Sequence, residues 1–281
     1  MPVNTLPIKA AKRRYSGIQP QYFPRLHYFN RILNSDVFMV RDDVQFVRKH
    51  KYPDGHNGPS FQAHTPIKEA SGIYLLSVFI KHDGLRPIYQ TVVSSDLSWK
   101  DKHLNALKYA YLKAPYFNSI YPGIEKIISR EYQSLAELNL STILWAIGKL
   151  SGLAEMANDR PTLKAVNDFL SDQSLFRLKK IQLGSQSQFY KNNPQASANE
   201  KIIGLCKEIG ASEDFCGGTG VAAYVDYELF SRNGITIAVQ DWQCPEYHQQ
   251  FIKKLRFIPN LSIIDLLMNV PLDKARSILA K

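Results

Sequence analysis

Residues 14–46 constrain the fold most, because the hydrophobic period changes twice within a span that fits only a strand, a helix and a second strand. Residues 14–19 read as a short strand that stops at Pro20, whose nitrogen has no proton for a ladder. Leu26, Phe29, Ile32 and Leu33 then recur at three- and four-residue spacing, the pattern of an amphipathic helix. Val37, Phe38, Val40, Val44 and Phe46 follow as a β-branched and aromatic strand, interrupted by Asp42-Asp43. A βαβ unit of this kind belongs to a parallel sheet with a right-handed crossover.

The middle of the chain is helical. Ser98-Trp99-Lys100-Asp101 and Ser134-Leu135-Ala136-Glu137 both fit a capping box. Leu104, Leu107, Tyr111 and Ala114 stripe the first helix, while Leu135, Leu138, Thr142, Trp145 and Leu150 stripe the second, which Gly152 ends. Both stripes read as packing surfaces. Residues 51–66, 159–161 and 185–199 read as loops or surface connections. Ser197-Ala198-Asn199-Glu200 caps a helix with Ile202, Ile203, Cys206 and Ile209, ended by Gly210. A short strand into Phe215-Cys216, a helix over 222–232, a strand over 235–239 and a helix opened by Ser262 with Asp265 complete the pattern. The expected class is α/β, Rossmann-like, with a mostly parallel sheet and a helical insertion. The expected segments are an N-terminal α/β part at 14–95, a helical part at 96–175, and a C-terminal α/β part at 176–281. The last of these completes the same domain or one packed closely on it.

At 281 residues and 44% apolar, the chain can bury a substantial core. No stretch approaches the ~18 apolar residues of a membrane span, and the opening residues lack the apolar run of a secretory signal. Cys206, Cys216 and Cys244 form no CxxC and cannot all pair, which points to a reducing, cytoplasmic setting. The net charge is +10, and residues 1–60 hold ten basic residues against four acidic ones. Such a surplus either attracts polyanions such as nucleic acid, a nucleotide-linked sugar or a phosphate-bearing carrier, or simply keeps the surface solvated.

Two places carry candidate chemistry. In Cys216-Gly217-Gly218-Thr219-Gly220 the glycines allow positive φ and close backbone approach. Free amides at the following helix start would then hold phosphate or carboxylate; the alternative is a tight turn that needs glycine sterically. The spacing matches neither the dinucleotide fingerprint nor the P-loop. Asp42-Asp43 lies at the C-terminal end of a parallel strand, where α/β folds place ligands. A carboxylate there would take a proton from an attacking amine or hydroxyl, or simply be solvated. Alternation sends the two side chains to opposite faces, so only one enters a given cleft. Gln45 and the run Arg48-Lys49-His50-Lys51-Tyr52 follow at once. His27, His50, His56 and His64, spaced by 23, 6 and 8, fit no common metal motif. Cys216 reads as a core thiol or as a nucleophile whose pKa a helix N-terminus would depress. Phe23-Pro24-Arg25-Leu26-His27 opening onto a helix also resembles nucleotidyltransferase-type folds, in which that helix start cradles phosphates.

Four clusters together resemble the WbqC-like protein family. They are Gln19, Pro20, Tyr22 and Pro24; Asp42, Asp43, Gln45 and Phe46; Gly217, Gly218, Gly220, Tyr224 and Asp226; and Ile258, Pro259, Leu261, Ser262, Ile263, Asp265, Leu266 and Leu267. Gln240-Asp241, Pro245 and Tyr247 fit as well. Arg25-Leu26-His27 stands where the family pattern has Trp-x-Gly, which makes the helix mouth more basic and implies a more anionic substrate. The resemblance implies transfer of a small acyl or aminoacyl group to an amino sugar or related acceptor, in surface-polysaccharide or specialised-metabolite assembly. The expected catalytic residues are Asp42, Asp43, Gln45 and Lys49, with Arg48 as an alternative to Lys49. Expected substrate contacts are Gln19, Tyr22, Arg25, His27, Gly217, Gly218, Thr219, Gly220, Tyr224, Asp241 and Asn260. No cofactor is expected, with a divalent metal at Asp42 and Asp43 left open. The expected partner is an anionic small molecule such as a nucleotide sugar, or an aminoacyl-tRNA docked on the basic front third. A nucleic-acid-binding module and a non-catalytic assembly factor are the competing readings.

Overall fold

The computed structural model describes residues 12–51, 55, 57–81, 84–152, 161–218, 221–222 and 225–280. The opening unit forms as its periodicity predicts: β1 (Arg14–Ile18), α1 (Leu26–Leu33) and β2 (Val37–Val40). β3 (Lys49–Lys51) with β4 (Asn57–Pro59), and β5 (His64–Glu69) with β6 (Gly72–Ser77), form two antiparallel hairpins, the first and the start of the second falling on residues 51–66, read as a loop. Four helices follow: α2 (Ser98–Tyr111), α3 (Phe117–Ser129), α4 (Leu135–Ser151) and α5 (Leu163–Asp172). The chain returns to the sheet with β7 (Lys180–Leu183), α6 (Gln188–Asn192), α7 (Ala198–Glu208), β8 (Glu213–Cys216), α8 (Tyr227–Arg232) and β9 (Thr236–Val239). It closes with α9 (Ile263–Asn269) and α10 (Leu272–Ala280).

The central sheet is parallel throughout, in the order β7-β2-β1-β8-β9. The order turns back between β1 and β8, so the C-terminal ends of those two strands flank the topological switch point, where open α/β sheets bind ligands. Phe38, Val40 and Ile181 face a core that runs on through α2–α5 and on to α9 and α10. Tyr15, Val37 and Met39 face a smaller core built on α7 and Phe230. Helices thus cover both faces, the three-layer solution for a parallel sheet.

Several local expectations needed correction. β2 stops at Val40, where the Asp42 amide donates to the Val40 carbonyl at 2.9 Å and turns the chain. Residues 44–46 then pair antiparallel with 86–88, outside the parallel sheet. Asp42 and Asp43 are consequently both buried, where strand alternation would have sent them to opposite faces. Ser98 does not cap α2; its amide instead donates to Asp96 Oδ1 at 3.0 Å. Ser134 caps α4, and Gly152 ends it at φ 81°. The Ser197–Glu200 capping box forms in full. Asp265 does not reach back to its helix start: buried, it accepts from Tyr111 at 2.9 Å and Tyr247 at 2.7 Å.

The opening segment after β1 is held from all sides. Phe23 adopts φ 38°, a strained value for an aromatic residue. Its amide donates to Thr142 Oγ1, while its carbonyl accepts from Thr65 Oγ1 at 2.6 Å and Ser262 Oγ at 3.0 Å. Asn139 donates to the carbonyls of Pro20 and Gln62. Among the described residues, no helix is long and apolar enough to cross a membrane.

Candidate functional site

Buried carboxylates stand on both sides of β1, with Asp42 and Asp43 just past the end of β2 and Asp214 within β8. At the end of β2, Arg41 grips Asp43 through two nitrogens, Nε to Oδ1 at 2.8 Å and Nη2 to Oδ2 at 2.8 Å. Such a bidentate fork fixes both groups. Asp42 turns the other way, accepting from the Ser185 amide at 2.8 Å and the Ser185 hydroxyl at 2.6 Å. The two carboxylates therefore tie the β2 end to the turn after β7. Burial raises the Asp42 pKa, against the pull of the Ser185 hydrogen bonds. Gly184 has no room for a side chain, because a Cβ would strike the Asp43 carboxylate.

Tyr15 runs along β1 and folds over Gly17, which lacks the Cβ that would block its hydroxyl. That hydroxyl is buried beside the Arg41 guanidinium without a hydrogen bond of good geometry. Burial works to lower the Arg41 pKa, but hydrogen bonding with Asp43 and the nearby Tyr15 outweigh it, so the guanidinium stays charged. Asp214 pairs with Tyr15 in register across β1 and β8, and only 3% of its surface is exposed. Burial pushes its pKa up to about 7, with Arg31 and Arg41 drawing it back down.

At the end of β8, the Arg31 side chain from α1 lies over Gly217, where a Cβ would sit 2.5 Å from the guanidinium. Arg31 Nε donates to Gln240 Oε1 at 2.9 Å, and the Gln240 amide nitrogen donates to the His27 carbonyl and to Asn30 Oδ1. Neither Gly217 nor Gly218 has positive φ, so Gly217 serves to admit Arg31 closely. Cys216 does not have the depressed pKa of a nucleophile. Burial pushes its thiol up to about 12, and Asp214 adds to the shift.

The start of α1 is closed to phosphate. The Leu26 amide donates to the Leu261 carbonyl, the His27 amide to Asn260 Oδ1 and the Tyr28 amide to the Arg25 carbonyl. Arg25 and the His27 ring also bond to Asn260. Burial lowers the His27 pKa to about 4, with the Asn260 hydrogen bond opposing it and Arg31 and Arg25 adding to it, so the ring is neutral. The likeness to a phosphate-cradling nucleotidyltransferase helix ends there.

The remaining expected contacts are scattered. Gln19, at the end of β1, accepts from Gln62 at 2.8 Å. Tyr22 is fully buried with its hydroxyl on His103 Nδ1 at 3.1 Å, a core position. Gln45 and Lys49 are exposed, as is Asp241 beyond β9. Thr219, Gly220 and Tyr224 lie outside the described residues. Beside Asp43 opens a cleft of ≈ 470 Å³ lined by Arg41, Gln45, Arg86, Tyr190 and Lys201, which does not include Gly217 or Gly218. The acidic doublet and the glycine turn thus share the sheet edge but stand on either side of β1.

Sequence reasoning missed Tyr15, Arg31, Arg41 and Asp214. Asp214, which lies between Glu213 and Phe215 in a short strand, left no signal of its burial. Among the described residues, no group of three or more His, Cys, Asp or Glu could hold a metal ion. At Asp42 and Asp43 the Arg41 guanidinium and the Ser185 donors already occupy the carboxylate oxygens.

The chain is 23% identical over 260 residues to the uncharacterized protein Rv1507c of Mycobacterium tuberculosis (strain ATCC 25618 / H37Rv), covering 92% of this chain and 94% of that protein. No solved structure matches. The model of the WbqC-like protein family matches residues 19–277, from the end of β1 to α10 and so across the whole sheet edge: the chain belongs to the WbqC-like protein family.

Proposed function

We propose that the protein transfers a small acyl or aminoacyl group to the amine of an amino sugar or related acceptor, with the reaction at the switch point between β1 and β8. The observation that carries this reading is the placement of the Asp214 carboxyl, buried opposite Tyr15 across β1 and β8 and within the field of Arg31 and Arg41, with burial pushing its pKa up to about 7. An amine that attacks an activated acyl carbon must lose a proton as the C–N bond forms. A carboxylate that titrates near neutrality accepts that proton and returns it to the leaving group. The oxyanion that develops on the acyl oxygen needs positive charge already in place, which Arg31 supplies beside Asp214. Asp42 and Asp43 are then positioning residues, since their oxygens hold Ser185 and Arg41. The biosynthetic setting, surface polysaccharide or specialised metabolite, rests on the family resemblance.

The test pairs amino-sugar acceptors with acyl thioesters and charged tRNAs and follows the product by mass. Asp214→Asn is expected to lower turnover about 10²–10⁴-fold, the range for a general base, with the fold intact. Asp42→Asn is expected to act mainly on stability. Full turnover in Asp214→Asn would remove the base from this position. Absence of transfer with every donor, together with a stably co-purifying polysaccharide enzyme, would favour an assembly factor instead.

A further inference from the structure

Three adjoining cavities make a trough with the cleft beside Asp43 at one end: the cleft shares Gln45, Leu85 and Arg86 with a second cavity of ≈ 400 Å³, which shares Phe46, Arg48 and Ile80 with a third, also ≈ 400 Å³. Its walls are the antiparallel pairings outside the main sheet: 44–46 against 86–88 on one side, and Ile80 bridged to Val93 further along. Val47 is tied to Gln62, and Gln62 in turn to Gln19 at the end of β1, which anchors the trough to the switch-point edge.

The three cavities differ in chemistry along the trough. The outer one is mostly apolar, with Phe46, Val78 and Phe79 and a rim of serines. Phe79 leaves 36% of its surface exposed, with the Lys102 ammonium 5.7 Å from its ring centroid. The middle cavity carries Arg48, Lys49, Lys81 and Arg86. The inner one ends at Arg41, Tyr190 and Lys201. Among the described residues that line these cavities, the one carboxylate is Asp43 in the inner cleft, paired with Arg41.

We propose that this trough binds a nucleoside diphosphate, with the base against Phe46 and Phe79 and the two phosphates on the Arg48, Lys81 and Arg86 cations. The group carried on the far phosphate is thereby delivered past Gln45 to Arg41 and the sheet edge. The order apolar, cationic, reactive matches the order base, diphosphate, linked group. Each cavity has the size of a small-ligand pocket. Phe46 and Phe79 stand together at the outer end and Tyr190 at the inner, with the cations grouped between them, whereas single-stranded RNA uses stacking platforms repeated along its path. The proposal rests on the transferase reading for what the nucleotide carries, and names the acceptor as a nucleotide-linked one.

Calorimetric titration at fixed salt with UDP, GDP, ADP, inorganic pyrophosphate and the parent nucleosides tests it. At least one nucleoside diphosphate is expected to bind more tightly than pyrophosphate, and its nucleoside more weakly than either. Lys81→Ala with Arg86→Ala should weaken the diphosphate and pyrophosphate together. Phe79→Ala should weaken the diphosphate about tenfold, the scale of one lost stacking contact, and leave pyrophosphate unchanged. All three positions are solvent-facing, and circular dichroism verifies that the variants fold. Equal affinity for pyrophosphate and the diphosphates, no effect of Phe79→Ala, or no binding by any probe would overturn the site. So would tighter binding of a single-stranded RNA with a steep salt slope. Nucleotide binding without transfer would sink the transferase reading alone, and transfer to an acceptor lacking a nucleotide would sink the trough alone.

Discussion

Asn260 caps a helix that lies 233 residues earlier in the chain: its side-chain oxygen accepts from the His27 amide at 2.9 Å. Arg25, at the local N-cap position, has no side-chain acceptor to do this. Asn260 itself has φ 57°, a left-handed value that asparagine tolerates better than most residues. Asn260→Ala therefore loses the cap and strains the backbone, and should cost about 1–2 kcal/mol in denaturant unfolding. Asn260→Gly keeps the backbone at ease and should cost less than Ala. Equal costs would mean that the backbone angle plays no part.

Gly184→Ala drives a Cβ into the Asp43 carboxylate and within 3.2 Å of the Val40 carbonyl. The carboxylate cannot retreat without breaking its fork with Arg41, so a loss of about 1–3 kcal/mol is expected. Gly218→Ala is the control, since its nearest neighbour would be Val239 Cγ1 at 3.9 Å, an ordinary contact. Melting temperatures of the two variants should separate clearly.

Stability should fall as pH rises across the Asp214 titration. A folded-state pKa of about 7 against an ordinary 3.8 means that the native state holds a proton the unfolded chain has released. The penalty is absent below about pH 4, grows through the interval and is complete above about pH 7. Asp214→Asn removes it, so the variant should gain on the order of 2–4 kcal/mol at pH 8 relative to its difference at pH 4. A pH-independent difference between variant and parent would place the proton elsewhere.

Cys216 should react slowly with iodoacetamide at neutral pH, because burial and Asp214 keep its thiol protonated. Peptide mapping after timed alkylation measures this directly. Rapid labelling at pH 7 would reverse the assignment of Cys216 as an inert thiol.

The opening strand and helix were legible because α1 shows its buried face as a three- and four-residue repeat, and the α4 end because Gly152 alone suits φ 81°. The strands within residues 51–66 were hidden by proline, glycine and histidine, which read as loop although register and tertiary packing override them. Tyr22 looked like a ligand contact since nothing local reveals that His103 and Trp99 surround it. Asp214 was illegible for the same reason: a carboxylate in a four-residue strand gives no hint of its cover. The glycine turn was readable as a need for glycine, but the need is space for Arg31, a residue far away in sequence.

Phe23 is fixed by partners from three distant parts of the chain, Thr65, Thr142 and Ser262. The last of these lies 239 residues further along the chain, so the bend that joins β1 to α1 shares its stability with segments that pack long after it in sequence. A lesion at Ser262 would therefore loosen the front of the molecule as well as the helix it caps.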